Sequence, residues 1–254
     1  MKVALVTAGM KRLGAAIAAR LAQDGWALAL HSRIASEPDH DLAAILVQAG
    51  VTWHNFVADL SDPAAVETLL PAVAARFGMP PALIVNNASM FGDDTPATAT
   101  AETIALHHAV NAQAPGILAI RLAAMLGADD RGAVVNITDQ RVRHGSADQF
   151  SYTLSKQALA ASTETLARAL APKVRVNAVG PGLTIPTEDY LPAQMVRLAH
   201  MMPLKRLSEP SEIADAVLWF AQAESVTGQT LYVDGGANLV TFDRDFVHLG
   251  LDVG

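Results

Sequence analysis

The sequence contains no cysteine. That excludes a disulfide framework, a thiol nucleophile and a thiolate metal site, and it leaves the redox compartment unmarked. Charge is scarce as well, 17% of residues against 51% hydrophobic, as in a well-buried chain that assembles with copies of itself. The balance is negative, at −7, and neither end carries a basic run, which argues against a nucleic-acid or anionic-membrane surface. No apolar stretch approaches the ~18 residues needed to span a bilayer, and the run Met1–Thr7 is too short for a signal peptide. A cytoplasmic protein is expected. His107 and His108 are adjacent, so on a helix they point apart, and no metal site is expected.

What is present is an alternation of short apolar runs and helical patterns. Val3–Thr7, Ala27–Ser32, Thr52–Ala58, Ala82–Val85, Ala133–Ile137, Val174–Val179 and Thr230–Val233 read as strands. Ala15–Asp24, Asp41–Ala49, Pro63–Phe77, Thr103–Met125, Tyr152–Ala169 and Glu212–Gln222 read as helices, the fourth broken near Asn111 or Pro115. With no repeat or linker in the 254 residues, the economical fold is α/β: one Rossmann-type, doubly wound parallel sheet in a single domain. The stretch 184–209 carries Pro186, Pro192 and Pro203 and a patch of methionines. It is too long for a structureless loop, so a partly helical flap over the substrate site is expected.

In such a sheet the strand ends carry the chemistry. After the first strand comes Ala8-Gly9-Met10-Lys11-Arg12-Leu13-Gly14, where backbone N–H groups and a helix N-terminus can hold a pyrophosphate; a plain Gly-containing turn is the alternative. The second strand ends in His31-Ser32-Arg33. A cation and a hydroxyl stand there with no carboxylate before Glu37, which favours NADP over NAD. After the third strand come Asp59 and Leu60, and Asp59 either accepts from an adenine amino group or caps the helix near Pro63. The fourth strand ends in Asn86-Asn87-Ala88-Ser89-Met90-Phe91, a tight bend whose aromatic either stacks on a planar heterocycle or lines a loop. Thr138 and Asp139 follow the fifth strand, and Pro181-Gly182-Leu183 end the sixth.

Ser151–Lys156 places Tyr152 and Lys156 one helical turn apart on one face. An ammonium beside a phenol favours the phenolate and lowers the tyrosine pKa toward the working range. Alone, the pair is also compatible with two unconnected surface residues.

Taken in order, the Gly-containing loop, the Asn-Asn-Ala bend, Asn111, Asp139, Tyr152-x-x-x-Lys156, Pro181-Gly182 and Asp234-Gly235-Gly236 resemble a short-chain dehydrogenase/reductase over residues 1–236. The likeness implies Tyr152 as proton donor, Lys156 on the nicotinamide ribose, Asn111 holding a water relay, and NADP(H) held by Gly9, Arg12, Leu13, Gly14, His31, Ser32, Arg33, Asp59, Leu60, Asn87, Ala88, Ser89, Tyr152, Lys156, Pro181, Gly182 and Leu183. Most members carry Gly where this chain has Arg12 and Ser where it has Asp139. Pteridine reductases and dihydromonapterin reductases resemble it at both places, and in Asn87-Ala88-Ser89-x-Phe91.

That narrower likeness implies a pterin stacked between Phe91 and the nicotinamide, with Arg12, Ser89, Asp139 and Tyr152 around it. It implies NADPH-dependent reduction of a dihydropterin in a homo-oligomer, a tetramer before a dimer. Carbonyl reduction within the same family is the first alternative, and a non-catalytic NADP-binding regulator the second. Two features depart from the pattern. Ala8 stands where pteridine reductases keep glycine, with about 1 kcal/mol of strain if positive φ is required there, unless Gly9 takes over the turn. The extension 237–254, with Phe242, Arg244, Phe246 and Leu249, is expected at a subunit interface, in a neighbour's site, or frayed.

Overall fold

Alternating burial on each strand sets the layers. In β1 (Val3–Val6), Val3 and Leu5 face one side of the sheet and Ala4 and Val6 the other, all fully buried. A strand buried on both faces has to lie centrally, and β1 does. The structure, a computed structural model, describes residues 2–187 and 190–251. Residues 188–189 of the expected flap and 252–254 of the extension lie outside the described residues.

The other strands are β2 (Ala27–Ser32), β3 (Trp53–Val57), β4 (Leu83–Asn86), β5 (Gly132–Ile137), β6 (Val174–Pro181) and β7 (Thr230–Val233). All pair in parallel, in the order β3-β2-β1-β4-β5-β6-β7. The order reverses between β1 and β4, and an open parallel sheet has its crevice at that point, beyond the strands' carboxyl ends.

Helices α1 (Arg12–Gln23), α2 (His40–Ala49) and α8 (Pro210–Gln222) cover one face through Ile17, Leu21, Leu42, Val217 and Phe220. On the other face lie α3 (Pro63–Phe77), α5 (Ala114–Met125) and α6 (Phe150–Leu170), which contribute Leu70, Leu118, Leu122 and Ala167. α4 (Ala101–His108) leads into α5 through a π-helical segment, Ala109–Gln113, so the expected break falls at Asn111. Asp62, not Asp59, caps α3, accepting from Ala64 N at 2.9 Å; the capping alternative for Asp59 is overturned because Pro63 already occupies the first helical position.

The stretch expected as a flap is helical over α7 (Pro192–Met201). Met202 is fully buried with Leu198 and Phe246, whereas Met201 is exposed. The Gln194 side-chain amide donates to the carbonyls of Phe246, Val247 and Leu249 at 3.2, 3.0 and 2.8 Å. Through Leu251 the C-terminal extension therefore folds back on its own chain.

Candidate active site

The loop after β1 is held from three directions. Thr7 Oγ1 accepts from the N–H groups of Asn87 and Ala88, both at 2.9 Å, and the Asn87 side chain donates to Thr7 O at 3.0 Å. Ala8 takes the left-handed conformation, φ 50°, and donates to His31 Nδ1 at 3.2 Å; Gly9 keeps a negative φ and does not take over the turn. A Cβ on Gly14 would lie 2.0 Å from Ala8 O, and one on Gly9 2.8 Å from Val6 O, so the backbone needs glycine at both. Arg12 is exposed with φ 55°, and α1 starts at it without a side-chain cap.

His31 was expected against the cofactor, but its ring is buried and fully engaged. Nδ1 accepts from Ala8 N and Nε2 donates to Ala58 O at 2.9 Å, which fixes a neutral tautomer. Burial lowers its pKa. His31 is a brace beneath the loop, a role its place on an inward-facing strand position permits. Leu60 is likewise corrected: its side chain lies in the core with Phe56 and Val66, leaving only its backbone for a ligand.

Ser32 exchanges hydrogen bonds with Asn55, and Arg33 is exposed at the strand tip. Asp59, also exposed, accepts from Ser61 N at 2.9 Å and Ser61 Oγ at 2.7 Å, and these bonds, with Arg33 nearby, lower its pKa.

Across the crevice, Tyr152, Lys156 and Asp139 come together. The Tyr152 hydroxyl donates to Asp139 Oδ2 at 2.9 Å. Lys156 Nζ donates to Ile137 O at 2.8 Å and lies 5.7 Å from the Tyr152 ring centroid. Burial and the Asp139 charge push the Tyr152 phenol well above its usual range, and the Arg141 charge does not offset them. Burial also lowers Lys156, to about 8. The tyrosine is thus a protonated donor resting on a carboxylate.

Phe91 is 57% exposed and meets the Tyr152 ring edge-on, centroids 4.9 Å apart. Ser89 is exposed beside it. Asn111 is fully buried, and its side chain brackets Met90, accepting from its N–H at 2.7 Å and donating to its carbonyl at 2.8 Å and to Ser155 Oγ at 2.9 Å. Its side chain is therefore a clamp on the Phe91 loop. Gly182 donates to Val233 O at 3.1 Å, and a Cβ there would strike Asp234 at 2.8 Å; Leu183 packs on the cluster of Leu198 and Phe246.

Four residues with no recognisable local pattern complete the site: Asp94, Arg141, Gln149 and Asp245. Asp94 accepts from Ser151 N at 2.9 Å and also from its hydroxyl, capping α6 from a distant loop. Buried Arg141 holds Asp139 Oδ1 through its backbone N–H at 2.9 Å and Nε at 3.2 Å. Its remaining nitrogens bond Gln149 Oε1 and Asp245 Oδ2, the latter at 2.6 Å. Only Arg141's closeness to Asp139 in sequence could have drawn attention to it.

The chain as a whole is matched by known proteins. Residues 8–238 fit the family model for enoyl-(acyl carrier protein) reductase. The chain is a short-chain dehydrogenase/reductase. An uncharacterized oxidoreductase of Mycobacterium tuberculosis is 35% identical over 95% of this chain and 94% of that protein. The (3R)-3-hydroxyacyl-CoA dehydrogenase of Canis lupus familiaris is 31% identical over 92% and 95%. Among solved structures, FolM alternative dihydrofolate reductase 1 from Brucella canis, complexed with NADP, superposes with a TM-score of 0.88 at 38% identity, covering 96% of each chain. This short-chain reductase shares their single-domain, seven-stranded architecture.

Proposed function

We propose that this short-chain reductase uses NADPH to reduce a dihydropterin, of dihydromonapterin or dihydrobiopterin type, to the tetrahydropterin. The observation that carries this reading is the carboxylate of Asp139 on the Tyr152 hydroxyl, with an exposed aromatic, Phe91, beside it. The 38% identity to FolM from Brucella canis supports it.

The cradle fits a dinucleotide. Gly9 and Gly14 let the loop fold tightly onto its own carbonyls, the N-terminus of α1 has no side-chain cap and its N–H groups would serve the phosphates, and Arg33 with Ser32 would provide a cation and a hydroxyl for a 2′-phosphate. Leu13, Asp59, Asn87, Ala88, Ser89, Pro181, Gly182 and Leu183 would line the remainder.

When bound, NADPH supplies a hydride to the imine carbon of the pterin ring. Tyr152 gives its proton to the adjacent ring nitrogen, and Asp139 receives and relays the replacement proton from water. Lys156 supplies positive charge beside the forming phenolate and a ribose contact. Phe91 stacks on one pterin face, while Arg12 and Ser89 hold its polar edge.

A second reading, carbonyl reduction, is favoured by the kinship with (3R)-3-hydroxyacyl-CoA dehydrogenase. A ketone reductase needs a neutral hydroxyl to polarise the carbonyl, and Asp139 stands where that hydroxyl would be. We further infer a cytoplasmic homo-oligomer, tetrameric before dimeric; exposed Ile120 and Leu154 on one face and Trp219 and Leu231 on another support two contact surfaces. No helix among the described residues is long and apolar enough to cross a membrane.

A panel of dihydropterins, folates and simple ketones assayed by NADPH consumption, with Tyr152→Phe alongside, tests the reading. Turnover of dihydropterins that Tyr152→Phe abolishes supports it. An unaffected Tyr152→Phe overturns the acid role, and turnover of ketones alone overturns the substrate.

A further inference from the structure

The C-terminal extension reaches into the site of its own chain. Asp245 is buried, and its Oδ2 accepts from Arg141 Nη2 at 2.6 Å, while the same guanidinium holds Asp139 Oδ1 and lies 5.1 Å over the Tyr152 ring. A continuous path of side-chain bonds therefore runs Tyr152, Asp139, Arg141, Asp245. It continues outward through Asp148, whose Oδ2 accepts from Asp245 N at 2.9 Å and Arg244 Nε at 2.8 Å.

The geometry matters for catalysis because a carboxylate free to rotate presents either oxygen to the phenol. Arg141 removes that freedom by binding Oδ1 twice, leaving Oδ2 for Tyr152. A guanidinium restrained only on that side could itself swing about its long stem. Gln149 and Asp245 fix its other two nitrogens. Phe246, buried against Leu198 and Met202, and the Gln194 bonds to the Phe246, Val247 and Leu249 carbonyls anchor the segment that delivers Asp245.

We propose that Asp245 is a positioning residue for proton delivery, acting through Arg141 on Asp139, so that the docked C-terminal extension is part of the catalytic machinery. It rests on Tyr152 being the acid, as proposed above.

Charge enters as well as geometry. The groups facing Arg141 are Asp139, Tyr152 and Asp245; Lys156 lies behind the tyrosine, and Asp148, Arg244 and His248 surround the outer end. Asp245 is one of the negative charges that hold the Tyr152 phenol protonated. Its neutralisation leaves Arg141 with one carboxylate partner instead of two, which favours the phenolate.

The test compares Asp245→Asn and Asp148→Asn with wild type, with Tyr152→Phe as reference. The second substitution loosens the extension without touching Arg141 or Asp139. Expected are a fall in kcat of about 10-fold or more, within the range on the order of 100-fold for a misplaced group, an NADPH affinity changed less than about 2-fold, and an alkaline limb of the kcat profile displaced to lower pH. Ultraviolet titration of the cofactor-free protein should show one tyrosinate, absent from the Asp245→Asn/Tyr152→Phe double variant, appearing at lower pH than in wild type. If Tyr152→Phe abolishes activity while both Asn variants keep wild-type kcat, pH profile and tyrosinate titration, the inference is overturned alone. Loss of NADPH binding and of the thermal transition in both Asn variants likewise overturns it, in favour of a purely structural extension. A fully active Tyr152→Phe overturns the underlying acid assignment.

Discussion

Tyr152 donates its hydroxyl proton to Asp139 Oδ2 at 2.9 Å, so the buried phenol rests on a negative charge. Burial and that charge both raise the tyrosine above its usual range. Asp139→Asn removes the charge and keeps the shape. The alkaline limb of the kcat profile, where the donor loses its proton, should move to lower pH in Asp139→Asn. A profile that stays in place would separate Asp139 from the titration of the tyrosine.

Lys156 gives a stability signature of its own. Burial holds it at about 8 against an ordinary 10.5. Between those values the unfolded chain keeps a proton that the folded chain has shed, so the contribution of this group rises with pH across that window. Urea denaturation of wild type and Lys156→Met at about pH 8 and about pH 10 should show wild type gaining relative to the variant. Parallel behaviour would mean that Lys156 titrates alike folded and unfolded.

Ala8 occupies a position that a residue with a Cβ adopts at a cost, φ 50°. The backbone is kept there by His31 Nδ1 and by Asn87 packed behind the loop. Ala8→Gly relieves about 1 kcal/mol of strain at an expense of about 0.5 kcal/mol or more in chain entropy, for a net gain of at most about 0.5 kcal/mol. Thermal or urea unfolding reads this directly, and a destabilised variant would show that the left-handed turn carries no strain.

Arg33 is exposed just beyond β2, and its charge is one of those that lower the Asp59 pKa. Arg33→Asp should weaken NADPH binding by about 10- to 100-fold, the worth of a charge-assisted contact, and leave NADH binding almost unchanged. Fluorescence titration with both nucleotides checks this, and equal losses would refute the 2′-phosphate assignment.

The fold was legible because the punctuation is local. α3 spans Pro63–Phe77 and β2 and β7 run over the anticipated residues, while the cap of α3 is Asp62 and not Asp59. The break at Asn111 was legible from Pro115, though its π-helical form was not, since a single extra residue per turn leaves little mark in composition. In the site, Tyr152 and Lys156 share a helical face as their spacing implied, and Asp139 and Phe91 lie against Tyr152, where the family resemblance and not spacing put them. His31 near the end of β2 and Leu60 in the turn after β3 did not behave as expected because both side chains turn into the protein interior. The Arg141–Asp245 pair lay beyond reach for a different reason. Its partners are 104 residues apart, and no local period records a contact made by a C-terminal segment folding back.

The central claim is that Asp139 turns a short-chain reductase site toward ring imines. Its most direct test is NADPH consumption by wild type and Asp139→Ser, each offered a dihydropterin and a simple ketone. The account predicts that wild type oxidises NADPH with the dihydropterin, and that Asp139→Ser loses this activity by on the order of 100-fold while ketone turnover is retained or gained. Wild-type turnover of ketones with none of dihydropterins, or an Asp139→Ser enzyme as fast on the dihydropterin as wild type, would contradict it.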